Sequence, residues 1–222
     1  MMLNRRSDLL FSTSGLLFLT SFVASAVVGI GPGYEDSLKE VASFASDDRG
    51  QTRVAAALML LSGFFAFVFV AGLHGALFPA RAADRRWASL LFAGGTGLAS
   101  MLLIAPSFAL TVVDRDDRSA EIQQTLFDLT GSFVSTAVVA IAAITLAAGM
   151  LMLGNARWPG WLAKLGFLAA ILGLAGVAGW PFFPIAWLVF TLWIVATSIV
   201  MLVRPHATTS DALSAPQVPQ VP

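Results

Sequence analysis

The chain has 222 residues, of which 57% are hydrophobic and only 12% charged, and its 13 basic and 13 acidic side chains balance to a net charge of zero. A soluble domain carries about 25% charged residues, so the composition excludes an ordinary soluble protein and a disordered one, and the neutral balance argues against nucleic-acid binding. The absence of cysteine excludes disulfides, thiolate metal sites and thiol catalysis. These features predict a polytopic membrane protein in contact with the lipid bilayer.

The charged residues are confined to short segments that separate six long apolar stretches. A helix needs about 20 residues to cross roughly 30 Å of hydrocarbon, and the stretches are close to this length or exceed it. We therefore predict an all-α bundle of six transmembrane helices within residues 1–204 and a disordered cytoplasmic tail at 205–222, which is polar and proline-rich. The predicted spans are residues 9–30, 54–78, 87–113, 129–154, 162–180 and 184–203.

The first span has a second interpretation. Arg5 and Arg6 precede its apolar run, which reaches the small residues Ala24 and Ala26, as a secretory signal peptide would. The run has about 22 residues, whereas the apolar region of a signal peptide has about 7–15. We favour a retained anchor, and cleavage would leave five helices in the same orientation.

Basic residues are distributed unevenly between the two sets of connecting segments. Of the 13 Lys and Arg, eight lie in the N-terminus, the second and fourth loops and the tail, and five lie in the first, third and fifth loops. Because basic segments are retained in the cytoplasm, this distribution predicts that both termini are cytoplasmic.

The first and third loops are predicted to form short extracytoplasmic amphipathic helices. In the first loop, Ser37 and Glu40 have the spacing of a capping box, and apolar residues follow at helical intervals. In the third loop, Ile122, Leu126 and Leu129 lie at helical spacing after a run of charges. Each of these loops therefore predicts a surface helix between two spans.

Ionisable residues buried in a membrane usually mark transport or catalysis, and the predicted spans have none at mid-depth. The sequence therefore predicts no catalytic residue, cofactor or metal. Among the remaining candidates, His74 either binds a headgroup or shuttles a proton, or simply reaches the inner interface. Asp114 and Asp117 lack the glycine and glutamate of a calcium loop and fit a solvated loop, and Asp128 either lines an outward vestibule or stabilises a helix start.

Small residues form smooth faces on the third and fifth spans. Such faces allow helix backbones to approach closely in a membrane, and we expect these two spans to pack on each other. The residues concerned are Gly95 and Gly97 in the third span and Gly166, Ala169, Gly173 and Gly176 in the fifth.

Two stretches carry a resemblance to a known family. Residues 36–77 contain an extracytoplasmic segment that ends in an aromatic residue, Phe44, and an acidic–basic step, Asp48-Arg49. Residues 158–166 loosely match a PxWLxxLG-like start of the fifth span. Both stretches resemble a family of small, uncharacterised actinobacterial membrane proteins. The resemblance implies six spans and a bacterial plasma membrane, and it implies no activity.

Three functions remain open. The first is a non-enzymatic accessory or structural protein that binds a protein partner or a second copy through helix faces or outer loops. The second is a binder or carrier of a lipid or other apolar small molecule, with a wall of phenylalanines such as Phe64 and Phe67 on the second span. The third is an enzyme at the outer interface that uses Asp114, Asp117 or Asp128. The absence of ionisable groups at mid-depth favours the first function.

Overall fold

The computed structural model describes residues 2–29, 37–78, 84–114, 119–178 and 182–203. This part of the chain is all-α, and six of its helices are long and apolar enough to cross a membrane, which confirms the predicted six-span bundle. Asp117 and the predicted tail at 205–222 lie outside the described residues. The helices are α1 (Met2–Val28), α2 (Leu38–Asp47), α3 (Arg49–Leu77), α4 (Arg85–Val113), α5 (Ala120–Leu153), α6 (Gly160–Ala178) and α7 (Phe182–Val203).

The six long helices form a closed ring in chain order. Helix α1 packs on α3, each of α3 to α6 packs on the helix that follows it, and α7 returns to α1. Helix α5 also touches α3 and α7 across the ring and is the most deeply buried of the six. Helix α5 therefore lies closer to the centre of the bundle than the other five helices of the ring.

Large side chains fill the centre of the bundle. Trp193, Phe18 and Phe190 are almost completely buried. The ring of Phe190 stacks on that of Trp193 at 6.2 Å, and Trp187 of α7 stacks on Phe22 of α1 at 4.5 Å. Because lipid is as apolar as these side chains, close packing and the dispersion energy it provides hold such helices together.

Helix α2 is the predicted capped amphipathic helix. The N–H of Ser37 donates to Glu40 Oε2 at 2.7 Å and the N–H of Glu40 donates to Ser37 Oγ at 3.4 Å, which confirms the capping box. On its apolar face, the ring of Phe44 meets that of Phe127 edge-on at 5.9 Å. Helix α2 thus covers one end of the bundle, which is called the α2 end below. The opposite end, where α1 begins and α7 ends, is called the termini end. The small core beneath α2 consists of Val41, Ala109, Val112 and Phe127.

The second predicted surface helix is not a separate element. Residues 120–128 form the first turns of α5, which continues from Ala120 to Leu153 because no proline interrupts this stretch. At 1.5 Å per residue its 34 residues extend about 51 Å, well beyond the roughly 30 Å of hydrocarbon in a bilayer. Residue 129, the predicted start of the span, therefore lies within this helix, nine residues after its first residue. Its first turns pack against α2.

Candidate functional site

Polar contacts tie the helices together at the α2 end. The side-chain amide of Gln51 donates to the carbonyl oxygen of Val28, joining α3 to α1. Arg53 joins α3 to the end of α4, since its Nη2 and Nε donate to Asp114 Oδ1 at 2.8 and 3.2 Å. Both members of this ion pair are more than half exposed. The candidate Asp114 is therefore engaged by a cation of the same chain.

Two buried hydroxyl groups contact a neighbouring helix deeper in the bundle than these polar contacts. Ser25 Oγ of α1 donates to the carbonyl oxygen of Ala55 in α3 at 2.8 Å. Thr130 Oγ1 of α5 lies 3.3 Å from the carbonyl oxygen of Ala105 in α4 and 3.0 Å from that of Leu126 in its own helix, so its hydrogen bond is shared between the two. These side chains fix the position of one helix along the next, which accounts for them without a ligand.

Asp114 and Asp128 lie at different depths. Asp128 is half-buried in the third turn of α5 and has an interaction within the chain. It lies two residues before Thr130, which contacts Ala105, whereas Asp114 lies nine residues beyond Ala105. At 1.5 Å per residue the backbone positions of the two aspartates are separated by roughly 10 Å along the helix axes. They do not form a pair, and the described residues contain no group of three or more His, Asp or Glu that could hold a metal ion.

His74 lies in the last turn of α3, at the termini end, and is partly exposed. Its ring meets Phe78 of the same chain segment at 5.6 Å and Phe92 of α4 at 5.7 Å, both edge-on. Phe92 in turn meets Phe67 at 6.4 Å. All three rings are exposed: Phe78 by 62%, Phe92 by 44% and Phe67 by 43%. His74 is thus part of an exposed aromatic seam between α3 and α4, formed by Phe67, His74, Phe78 and Phe92.

The small-residue face of α6 packs on α5, not on the third span as expected. A Cβ added to Gly173 would lie 2.9 Å from the carbonyl oxygen of Val138, and one added to Gly166 would lie 3.0 Å from that of Thr145. Both carbonyls belong to α5, which lies between α4 and α6 in the ring. Ring order therefore decides the partner of this face, and similarity between two smooth faces does not.

The other small residues differ in their surroundings. Gly95 is covered by Val70 of α3, because an added Cβ would lie 2.1 Å from Val70 Cγ1. No described atom beyond its own helix turn lies within 4 Å of a Cβ added to Gly97, so Gly97 makes no close contact with another helix. Ala169 is fully buried, and Gly176 has only ordinary contacts, the nearest of them 3.6 Å away at the Phe183 backbone.

Two neighbours of the candidate residues are not predicted from the sequence. One is Arg53, which pairs with Asp114, because nothing in the sequence connects two residues so far apart. The other neighbour is Phe92 of α4, which contacts His74. The sequence does contain a signal for the part of the seam on α3, since Phe67 and His74 are seven residues apart and so share one face of that helix.

At the α2 end, Asp114 is paired with Arg53 and is separated from Asp128. At the termini end, the aromatic seam between α3 and α4 is exposed. Comparison with protein-family models, with curated proteins and with solved structures finds no match to this chain. The identity of the molecule as an integral membrane protein therefore rests on its own six apolar helices.

Proposed function

We propose that the chain is a non-enzymatic accessory or structural membrane protein that holds a protein partner at its α2 end. The observation that carries the proposal is the burial of large apolar side chains such as Trp193 and Phe190 in the described part of the bundle. A substrate path or a catalytic chamber needs polar space, and an accessory protein needs only a rigid scaffold and a contact surface.

The polar face of α2 supplies a suitable contact surface. Lys39, Ser43 and Asp47 are exposed and recur every four residues along the helix, so they lie on the side opposite the buried Val41. The apolar side of α2 is already used by the bundle. The small-residue face of α6 is also used within the chain, which leaves the α2 surface as the better place for a partner.

Site-specific photocrosslinking in cells tests this function. A photoreactive residue at Lys39 or Ser43 is expected to give a discrete protein adduct, because both face away from the bundle. The same residue at Leu174, which is exposed on the lipid-facing side of α6, serves as the control and is expected to give lipid adducts only. The absence of a protein adduct at both α2 positions would refute the proposal.

We further propose a bacterial plasma membrane with both termini in the cytoplasm, which the excess of Lys and Arg in the corresponding segments supports. The chain has no cysteine, so single cysteines can be introduced cleanly. Cysteines at Ser43 and Ser119 should react with an impermeant maleimide in intact cells, and one at Ala156 should not. All three positions are exposed, and labelling of Ala156 alone would reverse the orientation.

Membership of the uncharacterised actinobacterial family is likewise a proposal, supported by Phe44, the Asp48-Arg49 step and the start of the fifth span. In the structure, Phe44 is the α2 side chain that contacts Phe127. Family members should therefore conserve an apolar residue at both positions, and an alignment in which the two vary independently would contradict the assignment.

Binding of a lipid or another apolar molecule is the second candidate function, and the exposed aromatic seam is the observation that favours it. An enzyme at the outer interface has less support, because Asp114 is paired with Arg53 and lies at a different depth from Asp128.

A further inference from the structure

Two stripes of side chains face each other across the groove between α3 and α4. On α3, Phe67 and His74 are seven residues apart, and on α4 Arg85 and Phe92 are also seven apart. Seven residues are nearly two full turns, so each pair lies along one face of its helix. The contacts of Phe92 with both Phe67 and His74 show that the two faces meet.

The polar members of the groove lie toward its termini end. Helices α3 and α4 run in opposite directions, with Gly95 beside Val70, so Arg85 lies roughly 9 Å beyond His74 along the axis at 1.5 Å per residue. Phe67 and Phe92 lie on the other side of His74, toward the middle of the bundle. The groove is therefore aromatic in its deeper part, and at its mouth the polar side chains lie beside the exposed ring of Phe78, which contacts His74.

Positive charge is concentrated at that mouth. Arg85 and Arg86 are both exposed in the first turn of α4, and the guanidinium of Arg86 lies 5.9 Å from the Trp87 ring centre. Asp84 is the one acid beside them in the described part of this turn, and its side chain does not cap the helix. The first N–H groups of α4 therefore add their partial positive charge to that of the two arginines.

We propose that this groove binds one anionic phospholipid of the leaflet at the termini end. An acyl chain lies along Phe67 and Phe92, and the phosphate lies between the His74 imidazole and the Arg85 guanidinium, both of which donate hydrogen bonds to it. The match is one of charge and depth: an apolar wall lies at the level of the acyl chains, and hydrogen-bond donors that include the positively charged Arg85 lie at the level of the headgroup. The site is independent of the proposed protein partner, because it lies at the opposite end of the bundle.

Native mass spectrometry of the full chain in a neutral detergent tests the site, with phosphatidylglycerol and phosphatidylcholine of identical acyl chains as probes. The wild-type protein should retain one phosphatidylglycerol in preference to phosphatidylcholine. Arg85→Gln should weaken phosphatidylglycerol binding about fivefold, the effect of one basic residue near an anionic headgroup. His74→Gln should weaken it by a smaller factor, and Phe92→Ala should weaken both lipids, since it removes the wall and no charge.

Lys164→Gln is the matched control, because it also removes one exposed positive charge at the termini end, on α6. It should change phosphatidylglycerol binding less than twofold. Equal losses in Lys164→Gln and Arg85→Gln would overturn the proposal in favour of a general surface potential. Equal retention of the two lipids would overturn it as well, and so would full displacement of phosphatidylglycerol by soluble glycerol phosphate, which would identify a phosphate site without a lipid. Unchanged melting temperatures of all four variants establish that folding is not the cause.

Discussion

The two ends of the bundle are joined in different ways. At the α2 end, directional contacts cross between helices, among them the Ser25 bond to Ala55 and the Arg53–Asp114 pair. In the half nearer the termini, helices meet through close approach: Ser198 Oγ would lie 2.3 Å from a Cβ added to Gly15, and Trp193 Nε1 would lie 3.1 Å from one added to Gly166. Among the described residues, neither of these buried polar atoms has a hydrogen-bond partner.

The difference predicts which half tolerates which change. Hydrogen bonds between membrane helices contribute only about 0.6 kcal/mol on average, whereas overpacking a close contact costs about 1–3 kcal/mol. The half with fewer directional contacts is therefore expected to be the more sensitive to added volume. The α2 end is expected to lose stability in small, separable steps.

The largest effect is expected at Gly166. Gly166→Leu should destabilise the protein by about 1–3 kcal/mol, because the new side chain meets the Thr145 carbonyl and Trp193, neither of which can move aside easily. Gly97→Leu is the control, since an added Cβ there meets nothing within 4 Å. Unfolding in one detergent with increasing SDS measures both. Equal stability of the two variants would mean that the close contact of α6 with α5 is not needed.

A smaller, local effect is expected at the capping box. Ser37→Ala removes the acceptor for the Glu40 N–H and should destabilise α2 by about 1 kcal/mol. Faster amide exchange confined to α2, with α3 to α5 unchanged, is the expected result. Ser43→Ala removes a bond to the Glu40 carbonyl of the same helix and leaves the capping box in place, so it should leave exchange nearly as in the wild type. Equal exchange in the two variants would show that the cap does not hold α2.

Ser25→Ala should cost about 0.6 kcal/mol, the average for a hydrogen bond between membrane helices. Its hydroxyl is fully buried and bonds a neighbouring helix. Thr20→Ala provides the comparison, because the Thr20 hydroxyl bonds carbonyls of its own helix and is exposed. The same SDS titration measures both. A loss well above 1 kcal/mol for Ser25→Ala would indicate that the α2 end depends on directional bonds more than the average suggests.

The smallest effect is a dependence on pH. The hydrogen bond from the Ser37 backbone, and then that from its side chain, hold the pKa of Glu40 below its ordinary value of 4.5. Because the folded state has the lower pKa, the stabilisation is present above pH 4.5 and is lost as the pH falls through the folded-state value. A spin label at Ser43 should therefore become more mobile in that acidic range. The same label in a Glu40→Gln background should show no such transition.

The sequence predicts some of these features well and others not at all. The six spans follow from local composition, and the cap of α2 follows from Ser37 and Glu40, three residues apart. The continuity of α5 does not follow from the sequence, because the charges before residue 129 favour a separate surface helix, whereas a helix continues through charged residues when nothing breaks it. The partner of the α6 face could not be deduced, since contact with α5 depends on the order of helices around the ring.

For the candidate functional residues too, the sequence predicts local position but not contacts with other helices. His74 lies near a helix end, as predicted, but its contact with Phe92 joins it to another helix. The engagement of Asp114 by Arg53 joins residues 61 positions apart. The separation of two residues in the sequence does not predict such a pair, so only the fold shows that Asp114 already has a cationic partner.

The contact between α1 and α7 sets an order of events during synthesis. Phe22 and Trp187 cannot meet until the last helix has been made, after more than 150 further residues have followed α1. At about 5–20 residues per second, α1 waits roughly 8–30 s beside α3 before the ring can close. A ribosome that stalls before Phe182 therefore leaves an open arc of helices, with the Phe18 and Phe22 rings facing lipid in place of α7.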